Sequence, residues 1–285
     1  MNLKRILDVV HLVLAALYLY FVLFGKWAKR GDPDLGAFSS EGGAGFGIIA
    51  VVLGVALVVL ALMRIAGKSK VLPGLGVEQL TVVFGLSAVI NLIAYVVGWL
   101  AVFPTGTGWA IPAAYFPASL IPQFGLLTVA LAEPGQGIKP LDTGKRQAFS
   151  LIALLAGIGV AFFPFLTWLS SGSVNLAGFD SRAGNPTSGP RLSYFLLAFG
   201  IVIAVAALMR MRPRGLAEPG PNLLHSHALL TLGLVTLLLP LATLISVFMR
   251  DGLDPGIGLW LGLIAGLVLV GTALVENRTR GAVAA

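Results

Sequence analysis

The sequence predicts an all-α integral membrane protein in which eight transmembrane helices form two tandem, parallel four-helix repeats. Three observations predict it. Only 11% of the 285 residues are charged and 57% are hydrophobic, whereas a soluble globular chain carries about 25% charged residues. Eight apolar runs reach the length needed to cross a hydrocarbon core, roughly 20 residues at about 1.5 Å of rise each. A set of landmarks also occurs twice in the same order.

The runs cover residues 8–25, 44–64, 79–103, 108–132, 148–169, 191–210, 228–249 and 256–276. They lack the alternation of barrel strands, and a helix satisfies its own backbone groups where no water is present. The first run follows Lys4 and Arg5, as in a signal peptide, but no small-residue cleavage site follows it and Tyr18, Tyr20, Phe21 and Phe24 crowd its far end. A retained first span is therefore expected.

The repeat shows first in "LVVLALMRIAG" (57–67) and "AVAALMRMRPR" (204–214), which end two apolar runs alike. Each half also opens on a basic pair before an apolar run, "KRILDVVHLVLAALY" at Lys4 and "KRQAFSLIALLAGIG" at Lys145, and closes near a glutamate, Glu133 or Glu276. Arg5 to Arg64 is 59 residues and Arg146 to Arg210 is 64; the onward steps to the glutamates are 69 and 66. The predicted domains are a first repeat over 1–135, a Pro- and Gly-rich linker over 136–147 and a second repeat over 148–285. Four spans per unit bring both copies into the membrane with the same orientation.

Basic residues resist translocation, so their loop distribution sets orientation. With the N-terminus inside, 13 of the 19 Lys and Arg face the cytoplasm, and the outer loops balance their charges. A multi-pass protein of the bacterial plasma membrane with both termini cytoplasmic is expected. Membrane lipids account for the basic excess, and no water-exposed domain exists to carry a nucleic-acid surface. With no cysteine, thiolate chemistry and Cys-ligated metal sites are excluded.

Few residues suit chemistry. Asp8 and His11 share a helical face near the start of the first span and read as a headgroup-level pair more readily than as a proton relay. Glu133 and Glu276 are placed to meet Arg64 and Arg210 across neighbouring helices, as exposed anchors. His225 and His227 have metal-compatible spacing but no convergent ligands, so no metal and no cofactor is expected. "GGAGFG" (42–47) follows no strand and lacks a P-loop lysine.

Packing signals are plentiful. Gly258, Gly262 and Gly266 recur at four-residue steps in the eighth span, and Ala153, Gly157 and Ala161 do so in the fifth; small faces of this kind let helices approach closely. The fourth span carries Pro112, Pro117 and Pro122 with Tyr115, Ser119 and Gln123 between them, so a kinked helix is expected. With Asn91 these polar residues form the alternative reading, a pathway for a lipid or small uncharged solute. In the long outer loop 170–190, Val174, Leu176 and Phe179 read as residues folding back onto the membrane surface, with a partner-docking patch as the alternative.

Residues 44–135, with "GVALVVLALMRIAGKSK" and "TGTGWAIPAAYFPASLIPQFGLLTVALAEPG", resemble the four-span membrane domain of the actinobacterial family that includes the mycobacterial 34 kDa antigenic protein. The resemblance implies an envelope or division-associated membrane protein without assigned chemistry. Members commonly carry a Pro-, Gly- and Gln-rich cytoplasmic tail, where this sequence reads "RTRGAVAA". The expected function is a non-enzymatic scaffold or accessory subunit whose partner is another integral membrane or envelope protein or a second copy of the chain.

Overall fold

A computed structural model of the chain describes residues 3–29, 35–39, 43–72, 75–100, 106–131, 141–172, 174–179, 192–212, 224–249 and 252–281. Eight helices, α1 (Leu3–Phe24), α2 (Ala44–Ile65), α3 (Val77–Ala94), α4 (Ala110–Leu131), α5 (Thr143–Phe162), α6 (Leu192–Met211), α7 (His225–Phe248) and α8 (Ile257–Gly281), are each the core of a segment long and apolar enough to cross a membrane.

Several ends differ from the hydropathy reading, for local reasons. α5 starts five residues before 148 because the exposed Asp142 caps it, its carboxylate accepting the Lys145 backbone N–H at 2.8 Å. That bond meets one orphan donor of the first turn and holds the carboxyl below its ordinary range. α1 likewise starts at Leu3, through Lys4 and Arg5. α5 gives way to a 3₁₀ turn at Phe163–Phe165 containing Pro164, so residues that read as the end of the fifth span are strand. α3 continues as a π-turn, Tyr95–Leu100.

Short strands close one end of the bundle. In the first half β1 (Lys26–Lys29) lies between β2 (Leu35–Gly36) and β5 (Gly106–Thr107); β3 (Lys70–Leu72) and β4 (Leu75–Gly76) form a hairpin at the opposite end. In the second half β6 (Thr167–Ser171) lies between β7 (Val174–Ala177) and β8 (Asp254–Pro255). Both three-stranded sheets are antiparallel with the first strand central. Ala28 pairs with Thr107 and Lys29 with Gly106; Leu169 pairs with Pro255 and Ser170 with Asp254.

Each central strand carries a wholly buried tryptophan that anchors it to the preceding helix. Trp27 Nε1 donates to the Val22 carbonyl at 3.1 Å, and Trp168 Nε1 to the Phe163 carbonyl at 3.0 Å, five residues back in both cases. Their own carbonyls accept from Gly108 and Gly256 at 2.8 and 2.7 Å. A Cβ on either glycine would collide with the backbone of Lys26 or Thr167, so only glycine admits the close crossing before α4 and α8.

Within the first half α1 packs on α2 and α4, and α3 on α2 and α4; in the second, α5 packs on α6 and α8, and α7 on α8. Glycines lie in several of these contacts: Gly54 faces Tyr18, Gly85 faces Pro122, Gly157 faces the Gly200 turn and Gly266 faces Leu237. Where lipid tails are as apolar as the side chains, close backbone approach is the main source of helix–helix attraction. Several buried hydroxyls bond carbonyls three or four residues back, as Thr81 does to Val77 and Ser246 to Ala242.

The halves meet where α7 lies against α2 and α3. The described part of the "GGAGFG" run serves this seam through Gly45, whose N–H donates to Ser246 Oγ at 3.1 Å; next to it, Asn91 Nδ2 of α3 donates to the Phe46 carbonyl at 3.1 Å and ties α3 to α2 within the first half. A Cβ on Gly45 would strike the Ala242 carbonyl. Gly45→Leu therefore overpacks the seam. Overpacking costs about 1–3 kcal/mol, and for a chain of this size each kcal/mol moves the midpoint by roughly 2–4 °C. The purified variant should melt about 2–12 °C lower, while Gly271→Ala on α8, where a Cβ would meet nothing, should lose less.

Candidate functional site

The buried charged groups of the helices gather at the end opposite the three-stranded sheets, around two arginines. Both occupy the last turn of the second helix of their half, where a cation suits the negative end of the helix dipole. Arg64 approaches Asp8 of α1 with Nε at 2.9 Å and Nη2 at 2.7 Å from Oδ1, and Nη1 donates to Thr128 Oγ1 of α4 at 3.4 Å. Only 2% and 8% of the Arg64 and Asp8 side chains are exposed. Three helices are thereby tied by one guanidinium.

Arg210 repeats the arrangement with different donors and acceptors. Its Nη2 and Nη1 reach Glu276 Oε1 and Oε2 of α8 at 2.7 and 3.3 Å, the two-pronged geometry that suits a carboxylate. Arg280, one turn further along α8, adds a contact to Oε1 at 3.0 Å, and the Glu276 side chain is fully buried. Beside it Ser226 Oγ of α7 donates to Asn277 Oδ1 at 2.7 Å. The network binds α6, α7 and α8.

Helix position shows how the two sites correspond. The buried face of α5, with Ser150, Ala153, Gly157 and Val160, matches that of α1, with Asp8, His11, Ala15 and Tyr18, at an offset of 142, one more than the offset of 141 between the tryptophan anchors. The Gly108 and Gly256 crossings are offset by 148, which places Thr128 opposite Glu276. One half holds a carboxylate on its first helix and a hydroxyl on its fourth; the other holds the hydroxyl, Ser150, on the first and the carboxylate on the fourth.

Arg210 and Glu276 meet as expected, but inside the bundle instead of at its exposed surface. Arg64 takes Asp8 as partner; Glu133 lies outside the described residues. Asp8 is thus an ion-pair member and not a headgroup-level companion of His11, whose Nδ1 lies 2.7 Å from the Leu7 carbonyl and whose ring stands edge-on to Phe124. His227 Nδ1 accepts the Leu224 N–H at 3.1 Å and caps α7. Among the described residues no three His, Asp or Glu side chains converge as metal ligands.

The small-residue faces are occupied by the chain itself. Gly258 abuts Trp168, Gly262 abuts Pro240 and Gly266 abuts Leu237, while Gly157, Ala161 and buried Ala153 face inward, the first two against the Gly200 turn of α6. They are not free surfaces for a partner. Leu176 is buried in the sheet and Phe179 packs against Phe165 and Tyr194; Val174 pairs through its backbone with Ser171. The pathway residues do not share a chamber: Asn91 is buried between α3 and α2, whereas Tyr115 and Gln123 lie on the outer face of α4 and Ser119 Oγ bonds the Phe116 carbonyl. Tyr115 lines a shallow apolar groove of about 380 Å³ between α3 and α4, with Leu92, Val96, Ile111 and Pro112.

Sequence reasoning missed the sheets and their tryptophans, although a signal was present. Trp27 follows Arg5, and Trp168 follows Arg146, by 22 residues in each case. No family model, no curated protein and no solved structure matches the chain.

Removing one partner of a buried pair leaves an uncompensated charge, which costs about 3–5 kcal/mol, whereas replacing both by apolar groups of similar size is often neutral. Arg64→Met should therefore sharply lower the yield of folded protein and its melting temperature, and Asp8→Leu combined with Arg64→Met should restore most of the loss. A double variant as unstable as the single one would assign Arg64 another role.

Proposed function

We propose that the chain is a non-enzymatic, multi-pass protein of the bacterial plasma membrane, built by head-to-tail duplication of a four-helix unit, that serves as a scaffold or accessory subunit of an envelope or division-associated complex. The duplication is supported by sheets of one topology and register, by tryptophan anchors five residues from their acceptors, and by an arginine pin at the same helix turn in each half. The envelope setting rests on the sequence resemblance and the orientation on the positive-inside distribution.

The observation that carries the structural role is the use made of scarce polar groups. Arg64 with Asp8, Arg210 with Glu276, Ser226 with Asn277 and Gly45 with Ser246 each tie one helix to another. Groups engaged in this way hold a shape; a turnover site keeps groups aimed at a cavity. The outer helix faces and the sheet-end loops remain for partners.

Two measurements test this reading. Purification of tagged chain from its native membrane in mild detergent should recover an envelope membrane protein in fixed stoichiometry; a lone chain, free of any other protein across several mild detergents, would count against the subunit role. In the cysteine-free chain, Asn175→Cys in β7 should react with an impermeant maleimide in cells whose outer barrier has been opened. Ser69→Cys at the basic turn should react only after the plasma membrane is permeabilised, and the reverse pattern would invert the proposed topology.

A further inference from the structure

We infer that the outer face of α4 is a two-fold interface with a second copy of this chain, centred on Gln123. The inference deepens the subunit reading and rests on it in one respect, that the helices lie in a bilayer. Among the described residues, Gln123 is the only exposed side chain bearing a charge, amide or hydroxyl that lies two turns or more from both ends of its helix. At 1.5 Å per residue it stands about 20 Å from the Ala110 end of α4 and about 12 Å from the Leu131 end. A glutamine side chain cannot reach water from that depth.

Gln123 has no hydrogen-bond partner among the described residues. An amide offers two donors and one acceptor oxygen, and leaving them bare in hydrocarbon is costly. A neighbouring helix that supplies the missing partners removes that cost. The surrounding stripe suits such a neighbour: Tyr115, Phe116, Ser119, Leu126 and Leu127 flank Gln123 on the outward side of α4. Ser119 lies one turn away, its hydroxyl already turned back to the Phe116 carbonyl, and is small enough for close approach.

The amide also indicates the occupant. Because it both donates and accepts, an identical amide at the same depth completes it, and a two-fold axis along the membrane normal brings Gln123 opposite Gln123. A head-to-tail contact between α4 and the corresponding helix α8 would not do so. The equivalent position there is Gly271, around which a Cβ would meet nothing, and it offers no side-chain group to pair. The glycine stripes that could otherwise join two copies are already occupied within the chain.

The absence of cysteine makes the test direct. Ser119→Cys in the full chain, oxidised in native membranes, should give a disulfide-linked species of twice the chain's mass, while Leu155→Cys on α5 and Val205→Cys on α6 give little. Adding Gln123→Leu should cut the linked fraction about fivefold, within the range that hydrogen bonds between helices are worth in lipid; Gln123→Asn should keep most of it. Gln123→Leu should melt like the parent in detergent, which separates lost pairing from lost folding. No link above the α5 and α6 controls, or a link indifferent to Gln123→Leu, would overturn the inference. A chain that fails to link yet still co-purifies an envelope protein would sink the dimer alone; a linked dimer with no other partner would sink the envelope complex alone.

Discussion

A guanidinium buried among apolar helices has to find a carboxylate, and the two arginine pins shape the bundle more than any other contact. Charges removed from water are tolerated only when paired and hydrogen-bonded. Arg64 can leave solvent because Asp8 and Thr128 converge on it from α1 and α4; Arg210 does so through Glu276 of α8. An apolar helix surface by itself has many nearly equivalent ways to pack. The pins select one rotation and one depth for the helices they join, and the glycine contacts between those helices then settle into register.

The exchange of carboxylate and hydroxyl between the halves follows from the same constraint. Each buried arginine needs one negative charge within reach, but that charge need not stand on a particular helix. Asp8 with Thr128 around Arg64, and Glu276 with Arg280 around Arg210, are two solutions to that requirement. The second half adds Arg280 to the same carboxylate. Its pin is thus carried mainly by α8, whereas in the first half it is carried by α1, the first helix of the chain.

Much of this was legible in the sequence. Eight helices follow from hydropathy alone, and the paired "LMR" turns already marked both arginines. The partner of Arg64 was hidden because Asp8 stands 56 residues away on a helix whose rotation no periodicity rule fixes, and the nearby His11 offered a closer companion. The sheets were hidden because strands of two to five residues between apolar helices carry too short a pattern to separate from helix ends. Trp27 and Trp168 could have revealed them, as could glycines 108 and 256, whose need arises only where one strand's backbone crosses another.

The way the halves meet accounts for the difference between their outer surfaces. If the two halves met through the same face, α2 against α7 would be matched by α6 against α3. Instead α7 lies on both α2 and α3, and α6 makes no comparable contact with α3. The seam is therefore heterologous, and a contact of that kind leaves a different surface bare on each half. Gly45 serves the seam from one side and Ser246 from the other, with no counterpart obliged to exist across a symmetry axis. With the seam asymmetric, α4 and α8 do not share surroundings, and Gln123 stands outward on one where Gly271 occupies the matching position of the other.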